Sequence, residues 1–277
     1  MKYIFLLLFT QSIFAANVSE YTASGAIQNI GGTDFSGLEW GVTTDGIEGE
    51  FRVDNKTGIL TYPGGSCGIG GDLEAITMGE DGSFYAVNEA KHGISAFNVH
   101  SINGCTAPRR FLMNGGGTNI EGITYKDGIL YTLNENDGSI YWFIDSGGTA
   151  FPQLLFTIPN CPGAGDLAFN GDNIVAICDG IPLVVEYDLD GNFIAENNYF
   201  GINNAEAIYF NDNQMCLGGE PDEYLCFTAG DPIDPPPPTL VENCTFSGNI
   251  DVDEFGNFTA QTVNFICPTI IASGTLN

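Results

Sequence analysis

Short apolar segments separated by turn sequences run through most of the chain. The apolar segments hold four or five residues rich in Ile, Val, Leu, Phe and Tyr, as in Phe84–Val87 and Ile129–Leu133. Asp-Gly and Asn-rich turns separate them, for example Glu80–Gly82 and Lys126–Gly128. Such residues supply the positive φ angles and local side-chain hydrogen bonds that hairpins require. No stretch has a competing helical periodicity, so the pattern predicts an all-β protein.

The predicted strands belong to a repeated unit. An acidic residue in a similar apolar context recurs at intervals of 35, 47, 45 and 40 residues. These acids are Glu39, Glu74, Glu121, Asp166 and Glu206. Four antiparallel strands in about 42 residues are typical of a propeller blade, so residues 21–230 are predicted to form a five-bladed β-propeller of four-stranded blades. A β-sandwich is the alternative, although it does not require an equivalent acid in every unit.

Both ends of the chain differ from the repeat. Residues 1–16 combine one positive charge, roughly ten apolar residues and small residues at the end, with either Ala15 or Ala16 before the cleavage point. An apolar stretch of this length is too short to span a bilayer, which predicts a cleaved signal peptide and no transmembrane segment. A Pro-rich linker at 231–238 follows the propeller, and residues 239–277 are predicted to form a small β-hairpin and β tail.

Export makes disulfide bonds possible, and the chain has eight cysteines. Cys216 and Cys226 lie at equal distances on either side of a turn, and so do Cys244 and Cys267, so each of these two pairs is predicted to bridge a hairpin. The remaining cysteines are predicted to form Cys67–Cys105 and Cys161–Cys178. A zinc site is the alternative use of these thiols, but the sequence has no Cys-x-x-Cys motif and only two histidines.

The charge balance narrows the choice of partners. The chain has 35 Asp and Glu against 7 Lys and Arg, a formal net charge of −28 at pH 7. So few basic residues do not make a phosphate-binding surface, which argues against nucleic acid and anionic membranes. A charge of this size favours a monomer and attracts divalent cations. We therefore expect a secreted, periplasmic or cell-surface protein whose partner is a small molecule, a glycan or a protein.

The repeated acids are the candidate functional residues. The first strand of each propeller blade lines the central channel, so the five carboxylates are expected to surround one rim. A second series of acids follows at the end of the second strand, with Asp45 as its candidate member in the first blade. The other members are Glu89, Glu135, Asp179 and Glu220. Converging carboxylates raise one another's pKa unless a cation intervenes, and an extracellular cation with oxygen ligands is typically Ca²⁺. The predicted Ca²⁺ ligands are Glu39, Glu74, Glu121, Asp166 and Glu206.

Two other interpretations of the acids remain open. They can be blade architecture, each accepting hydrogen bonds from backbone N–H groups of a neighbouring blade. They can also serve a Ca²⁺-dependent hydrolase of lactones, esters or phosphate esters, in which the cation polarises a substrate oxygen. Glu74, Glu121 and Glu206 would then hold the cation, with His92 or Glu135 as the candidate catalytic base. The first prediction is a binding or interaction protein, and the sequence alone leaves open whether the chain is an enzyme.

The repeated units also resemble a known family. The segments LEAI at 73–76, GSFYAVNE at 82–89 and IEGI at 120–123, with the opening SGLEW at 36–40, resemble the SdiA-regulated family of exported propellers. That family is similar in turn to esterase-like phytase, gluconolactonase and paraoxonase propellers. The resemblance covers about residues 30–230 and implies a five- or six-bladed propeller with a metal near its axis. It implies no particular reaction.

Overall fold

A computed structural model gives the structure of the chain, and it falls into two compact units, residues 1–230 and 231–277. A 3₁₀ turn at Val18–Glu20 is the only helical element among the described residues. No helix in that part of the chain has the length and apolarity needed to cross a bilayer. The described residues are 16–29, 35–88, 93–106, 109–112, 119–145, 149–161, 163–199, 202, 204–211, 213–220, 222–230, 245–247, 250–252, 258–260 and 264–266.

The first unit begins with two short strands, β1 (Tyr21–Ala23) and β2 (Gln28–Asn29). Four blades follow in chain order, each an antiparallel sheet of four strands. Blade 1 consists of β3 (Phe35–Val42), β4 (Glu48–Asp54), β5 (Ile59–Tyr62) and β6 (Gly65–Gly68). Blade 2 consists of β7 (Leu73–Met78), β8 (Phe84–Asn88) and β9 (Gly93–Phe97), then a hairpin of β10 (Val99–His100) and β11 (Gly104–Cys105), and finally β12 (Arg109–Leu112).

In blades 3 and 4, as in blade 1, consecutive strands pair from the inner to the outer edge. Blade 3 consists of β13 (Ile120–Lys126), β14 (Ile129–Asn134), β15 (Ser139–Phe143) and β16 (Gln153–Thr157). Blade 4 consists of β17 (Ala164–Asn170), β18 (Asn173–Cys178), β19 (Leu183–Tyr187) and β20 (Phe193–Asn198).

The fifth blade is built from both ends of the first unit. Its three inner strands are β21 (Ala205–Asn211), β22 (Gln214–Gly219) and β23 (Glu223–Ala229). Its outermost strand is β1, which pairs antiparallel with β23, and β2 pairs with the same strand further along. The fourth strand of this blade therefore comes from the opposite end of the repeat region. The predicted five-bladed β-propeller is confirmed.

The apolar core lies mainly between neighbouring blades. Between blades 1 and 2, the rings of Phe51 and Phe84 pack with centroids 4.4 Å apart. Similar clusters join blades 2 and 3, 3 and 4, and 4 and 5. The seam between blades 5 and 1 has a smaller apolar cluster around Leu38, and there Tyr209 Oη donates to Glu50 Oε2 at 2.8 Å. Each blade therefore depends on its neighbours for burial, which is why the ring must close.

Three disulfide bonds cross-link segments of the propeller. Cys216 and Cys226 face each other on β22 and β23, as the symmetric turn predicts. The pairs Cys67–Cys105 and Cys161–Cys178 are also present, so three of the four predicted pairs are confirmed. The fourth predicted pair, Cys244–Cys267, lies outside the described residues.

The second unit contains four short described strands. They are β24 (Thr245–Ser247), β25 (Ile250–Val252), β26 (Phe258–Ala260) and β27 (Asn264–Ile266). Strand β24 pairs antiparallel with β27, and β25 pairs antiparallel with β26. The small β segment predicted after the propeller is therefore present, while the predicted Pro-rich linker at 231–238 lies outside the described residues.

Candidate functional site

The inner strand of every blade carries a register shift near its beginning. In blade 3, for example, Ile120 pairs with Asn134 and Gly122 pairs with Leu133, so Glu121 is the extra residue. A β-bulge of this kind re-aims one side chain and is common beside functional sites. We call the residue that follows the first pair of each inner strand the bulge position. The five bulge positions are Ser36, Glu74, Glu121, Gly165 and Glu206.

This register changes two of the predicted equivalences. Glu39 lies three residues after the bulge position of blade 1, and Asp166 lies one residue after that of blade 4. The residue one step after the bulge position is Gly or Ala in the other blades, because the neighbouring blade lies close there. A Cβ atom at Gly122, for instance, would lie 2.9 Å from the Cα atom of Asp166. The repeated acids therefore split into two structural groups.

Three bulge-position acids and two second-series acids line one cavity of about 190 Å³. The cavity is walled by blades 1 to 5, and its polar wall is made of oxygen-bearing side chains. No Lys, Arg or His is among the described residues that line it. The lining residues are Asn55, Glu74, Glu121, Glu135, Gly163, Gly165, Asp179 and Glu206.

A repeated backbone hydrogen bond places the second-series acids beside the bulge positions. The N–H of Glu135 donates to the carbonyl of Asn119 at 3.0 Å, and the N–H of Asp179 donates to that of Gly163 at 2.8 Å. In blade 5 the N–H of Glu220 donates to the carbonyl of Asn204 at 3.2 Å. The side chain of Asn119 also donates from Nδ2 to Glu135 Oε2. Two strand ends are thus tied together in each of these blades. In blade 3 both Glu121 and Glu135 line the cavity, in blade 4 only Asp179 of the acids does, and in blade 5 Glu206 does while Glu220 is not part of the lining.

Asn55, not Asp45, is the second-series member of blade 1. It follows Asp54, which pairs with Phe35 at the start of the inner strand, as Glu135 follows Asn134 in blade 3. Asp45 instead lies exposed in a loop and accepts the N–H of Ser101 at 2.9 Å. The prediction that placed Asp45 in the series is therefore wrong, because the long first hairpin of the propeller hides the regular spacing.

Burial and mutual repulsion raise the pKa values of the cavity acids. The pKa of Glu206 rises from 4.5 to about 8, first because of burial and then because of the charges of Glu220, Asp179, Glu74 and Glu135. The pKa of Asp179 is raised by burial and by Glu220 and Glu135. The cavity thus favours protons or another positive charge among its carboxylates.

Two oxygens in the cavity wall are buried without a hydrogen-bond partner in the described structure. They are Oδ1 of Asn55 and Oδ1 of Asp179. A buried polar atom of this kind costs about 1–3 kcal/mol unless a proton donor, a water or an ion satisfies it. Both atoms belong to residues that line the cavity, and both are hydrogen-bond acceptors. Their chemistry suits a cation or a hydrogen-bond donor and does not suit an anion.

Glu39 and Asp166 lie outside this lining and bind the backbone of neighbouring blades. Glu39 Oε2 accepts from Thr77 Oγ1 at 2.9 Å and from the N–H of Met78 at 3.3 Å. Burial raises the pKa of Glu39 from 4.5 to about 7, although these hydrogen bonds lower it. For these two acids the geometry matches the interpretation of blade architecture, which sequence analysis left open.

Asp166 connects three blades through its carboxylate. Its Oδ1 accepts the N–H of Leu167 at 2.8 Å and of Ile123 in blade 3 at 3.3 Å. Its Oδ2 accepts the N–H of Ile208 in blade 5 at 3.1 Å. The side chain is 1% exposed, and burial raises its pKa well above the ordinary value against the effect of these bonds.

Only one of the two candidate catalytic bases belongs to the described residues. Glu135 lines the cavity, whereas His92 and the second-series Glu89 lie outside the described residues. Among the described residues, no three His, Cys, Asp or Glu side chains are already grouped closely enough to hold a metal ion between them. The carboxylates surround a space and do not form a compact ligand cluster.

No family model matches the chain, and no curated protein matches it. Solved structures with the same fold are similar at low identity. Glutaminyl cyclase from Myxococcus xanthus is 13% identical with a TM-score of 0.52, and the match covers 72% of this chain and 92% of that one. A chain of the nidogen/laminin complex is 14% identical with a TM-score of 0.50, over 67% and 72% of the two chains.

Virginiamycin B lyase from Staphylococcus aureus is 17% identical with a TM-score of 0.46. The match covers 69% of this chain and 65% of the lyase, so this chain spans just under two thirds of the lyase length. Identities this low bear on the fold alone. The comparisons and the strand order together establish that the chain is a β-propeller.

Proposed function

We propose that the chain is a binding protein whose axial cavity takes a divalent cation, with Ca²⁺ as the expected ion. The observation that carries the proposal is the cavity itself, in which Glu74, Glu121, Glu135, Asp179 and Glu206 face one space without a basic side chain in the described lining. Carboxylates kept together in this way need protons or a cation, and burial makes the need stronger. A hard cation satisfies several of them at once.

The donor set fits Ca²⁺ better than a transition metal. Every candidate ligand is an oxygen, from a carboxylate or from the amide of Asn55, and Ca²⁺ accepts six to eight oxygen ligands in flexible geometry. Because the carboxylates are not grouped as a compact cluster, part of the ion's shell is expected to be water. Bound there, the ion would offset part of the negative charge of the cavity and hold the inner strands of several blades together.

Removal of the cation is expected to lower the thermal stability of the protein. The purified chain is dialysed against EDTA, and its melting temperature is measured before dialysis, after dialysis and after Ca²⁺ is returned. We expect a drop of several degrees in EDTA and recovery with Ca²⁺, because a ligand that binds only the folded state stabilises it. Glu206→Gln is expected to abolish the response, whereas Glu196→Gln, on the exposed face of β20, retains it. A melting temperature that does not depend on Ca²⁺ in the wild-type protein contradicts the proposal.

A second function, hydrolysis of lactones, esters or phosphate esters, is supported by the position of Glu135. This candidate base lines the cavity in which the cation is proposed to bind. A cation there would supply Lewis-acid polarisation of a substrate oxygen, while Glu135 would take a proton from the attacking water. A panel of the three substrate classes tests this. Activity that is lost both in EDTA and in Glu135→Gln supports a hydrolase, and an inactive wild-type protein leaves the binding role.

The proposal also includes export of the protein and membership of the SdiA-regulated family. Three disulfide bonds support an oxidising location, such as the exterior of the cell or the periplasm, because such bonds rarely persist in the cytosol. The resemblance to the SdiA-regulated family is supported by the bulge-position acids of the LEAI and IEGI segments, which line the same cavity. We propose a monomeric, exported member of that family whose partner is a small molecule, a glycan or a protein.

A further inference from the structure

The N-terminal segment is held across blades 4 and 5 by a buried carboxylate. Glu186 lies on β19 with no exposed surface, and its Oε2 accepts the N–H of Val18 at 2.7 Å. Its Oε1 accepts from Asn173 Nδ2 at 2.8 Å and from Asn170 Nδ2 at 3.2 Å. Three residues after Val18 the segment becomes β1, the closing strand of blade 5. The carboxylate therefore anchors the segment that closes the ring.

This buried carboxylate has amide donors but no cationic partner in the described part of the chain. Its hydrogen bonds come from one backbone N–H and two side-chain amides, and no described Lys, Arg or His forms an ion pair with it. A buried charge is costly unless an opposite charge accompanies its hydrogen bonds. The surroundings of Glu186 are thus suited to one more positively charged donor.

Ala16 lies within the same hydrogen-bond network. Its carbonyl accepts from Asn170 Nδ2 at 2.7 Å, and the same amide nitrogen donates to Glu186. Its side chain packs against the apolar cluster between blades 4 and 5. Asn170 is 4% exposed, so the loss of the Ala16 carbonyl would leave a buried amide hydrogen without its acceptor. The folded propeller therefore makes use of Ala16, which sequence analysis placed at the end of the predicted signal peptide.

We propose that the signal peptide is removed at the Ala15–Ala16 bond and that the new α-ammonium group of Ala16 becomes the cationic partner of Glu186. The exporting cell's signal peptidase adds one water across the amide bond. The hydroxyl joins the carbonyl of Ala15 to form a carboxylate, and the nitrogen of Ala16 leaves as an amine that is protonated near neutral pH. This nitrogen is two covalent bonds from the carbonyl carbon whose oxygen Asn170 binds, and Asn170 also donates to Glu186, so the proposal places the new charge near the carboxylate.

Processing at this bond would thus strengthen the closure of the ring. Cleavage one residue later, at Ala16–Asn17, is the competing site, and it would remove the carbonyl that Asn170 binds. A chain still carrying residues before Ala16 would have a neutral amide where the proposal places a charge. The mature protein is expected to be more stable than either alternative, so removal of the signal peptide and formation of the last blade are coupled.

Chains that begin at a defined residue and continue to residue 277 test this proposal. A fusion partner that is cleaved without leaving extra residues gives chains that start at Ala16, at Asn17, or with Gly-Ser ahead of Ala16. The chain that starts at Ala16 is expected to melt about 2–4 °C above each of the others, the shift that about 1 kcal/mol of added stability gives in a domain of this size. Equal melting temperatures for the Ala16 chain and the Gly-Ser chain would overturn the proposal, and this comparison needs no substitution inside the fold.

Two variants assign the effect to Glu186. In Glu186→Gln the difference between the Ala16 chain and the Gly-Ser chain is expected to disappear, whereas the exposed control Glu196→Gln retains it. A difference that persists in Glu186→Gln overturns the pairing. Intact mass of the exported protein, expressed with its own leader, is expected to show a start at Ala16. A start at Asn17 overturns the cleavage site, and the metal-dependent melting described above is unaffected by either result.

Discussion

Replacement of Asp166 by Ala is expected to lower the free energy of unfolding of the propeller by about 3 kcal/mol or more, since three buried N–H donors lose their acceptor at about 1–3 kcal/mol each. The donors belong to blades 3, 4 and 5, at Ile123, Leu167 and Ile208. Natural domains have only about 5–15 kcal/mol of stability in total. Urea denaturation at constant pH measures the loss.

A matched control separates the architectural role of Asp166 from the general effect of removing an acid. Asp190 is exposed in the turn between β19 and β20, and Asp190→Ala is expected to change stability by no more than about 0.5 kcal/mol. Asp166→Asn keeps one acceptor oxygen and is expected to fall between the wild type and Asp166→Ala. A loss below about 1 kcal/mol in Asp166→Ala would contradict the assigned role.

In EDTA, the free energy of unfolding is expected to fall as the pH rises from about 5 to about 8. The pKa of Glu206 is raised from 4.5 to about 8 in the folded protein, and that of Glu39 is raised from 4.5 to about 7. At a pH between the ordinary and the raised pKa of each residue, the folded state keeps a proton that the unfolded chain has lost. The unfolded state then binds fewer protons, so stability decreases with pH, on the order of 3 kcal/mol for Glu206 after allowance for its partial exposure.

Calcium is expected to flatten this pH dependence. A cation in the cavity replaces the protons, so at about pH 8 the Ca²⁺-loaded protein keeps the stability that the metal-free protein loses. Acids with a lowered pKa, such as Asp172 beside Lys126, stay ionised between about pH 5 and about pH 8. Their contribution to folding stability is lost only at more acidic pH, so it does not alter this profile. Chemical denaturation across the range, with and without Ca²⁺, gives the two profiles. Glu206→Gln in EDTA is expected to be flatter than the wild type, and stability that rises with pH in metal-free wild type would contradict the assignment.

The strand pattern and the repeat were enough to predict the architecture. Segments such as Phe84–Val87 and Ile129–Leu133 are buried strands, and the Asp-Gly turn at Asp127–Gly128 joins two paired strands, because hairpin formation is local. The closing strand Tyr21–Ala23 could not be assigned in this way. Its pairing with Ala229 spans almost the whole first unit, and three residues carry too little periodicity to indicate a strand.

The equivalences predicted among the repeated acids differ from the observed strand register in blades 1 and 4, and the difference has a structural cause. A β-bulge adds a residue to the inner strand, so equivalent acids cannot be aligned by apolar pattern alone. One signal was present in blade 4: Gly165 precedes Asp179 by 14 residues, as Glu121 precedes Glu135 and as Glu206 precedes Glu220, whereas Asp166 precedes it by 13. Blade 1 offers no such signal, because its first two strands are longer and Asn55 is not an acid.

Direct measurement of cation binding tests whether the cavity carboxylates hold Ca²⁺. The EDTA-treated wild-type chain is equilibrated with Ca²⁺ near neutral pH, and bound metal per chain is measured by equilibrium dialysis with elemental analysis. We expect one tightly held Ca²⁺ per chain, which is lost when Glu74 and Glu206 are both replaced by Gln and retained in Glu196→Gln. The absence of saturable binding to the wild type, or equal binding to the double variant, would show that the axial carboxylates do not hold a cation.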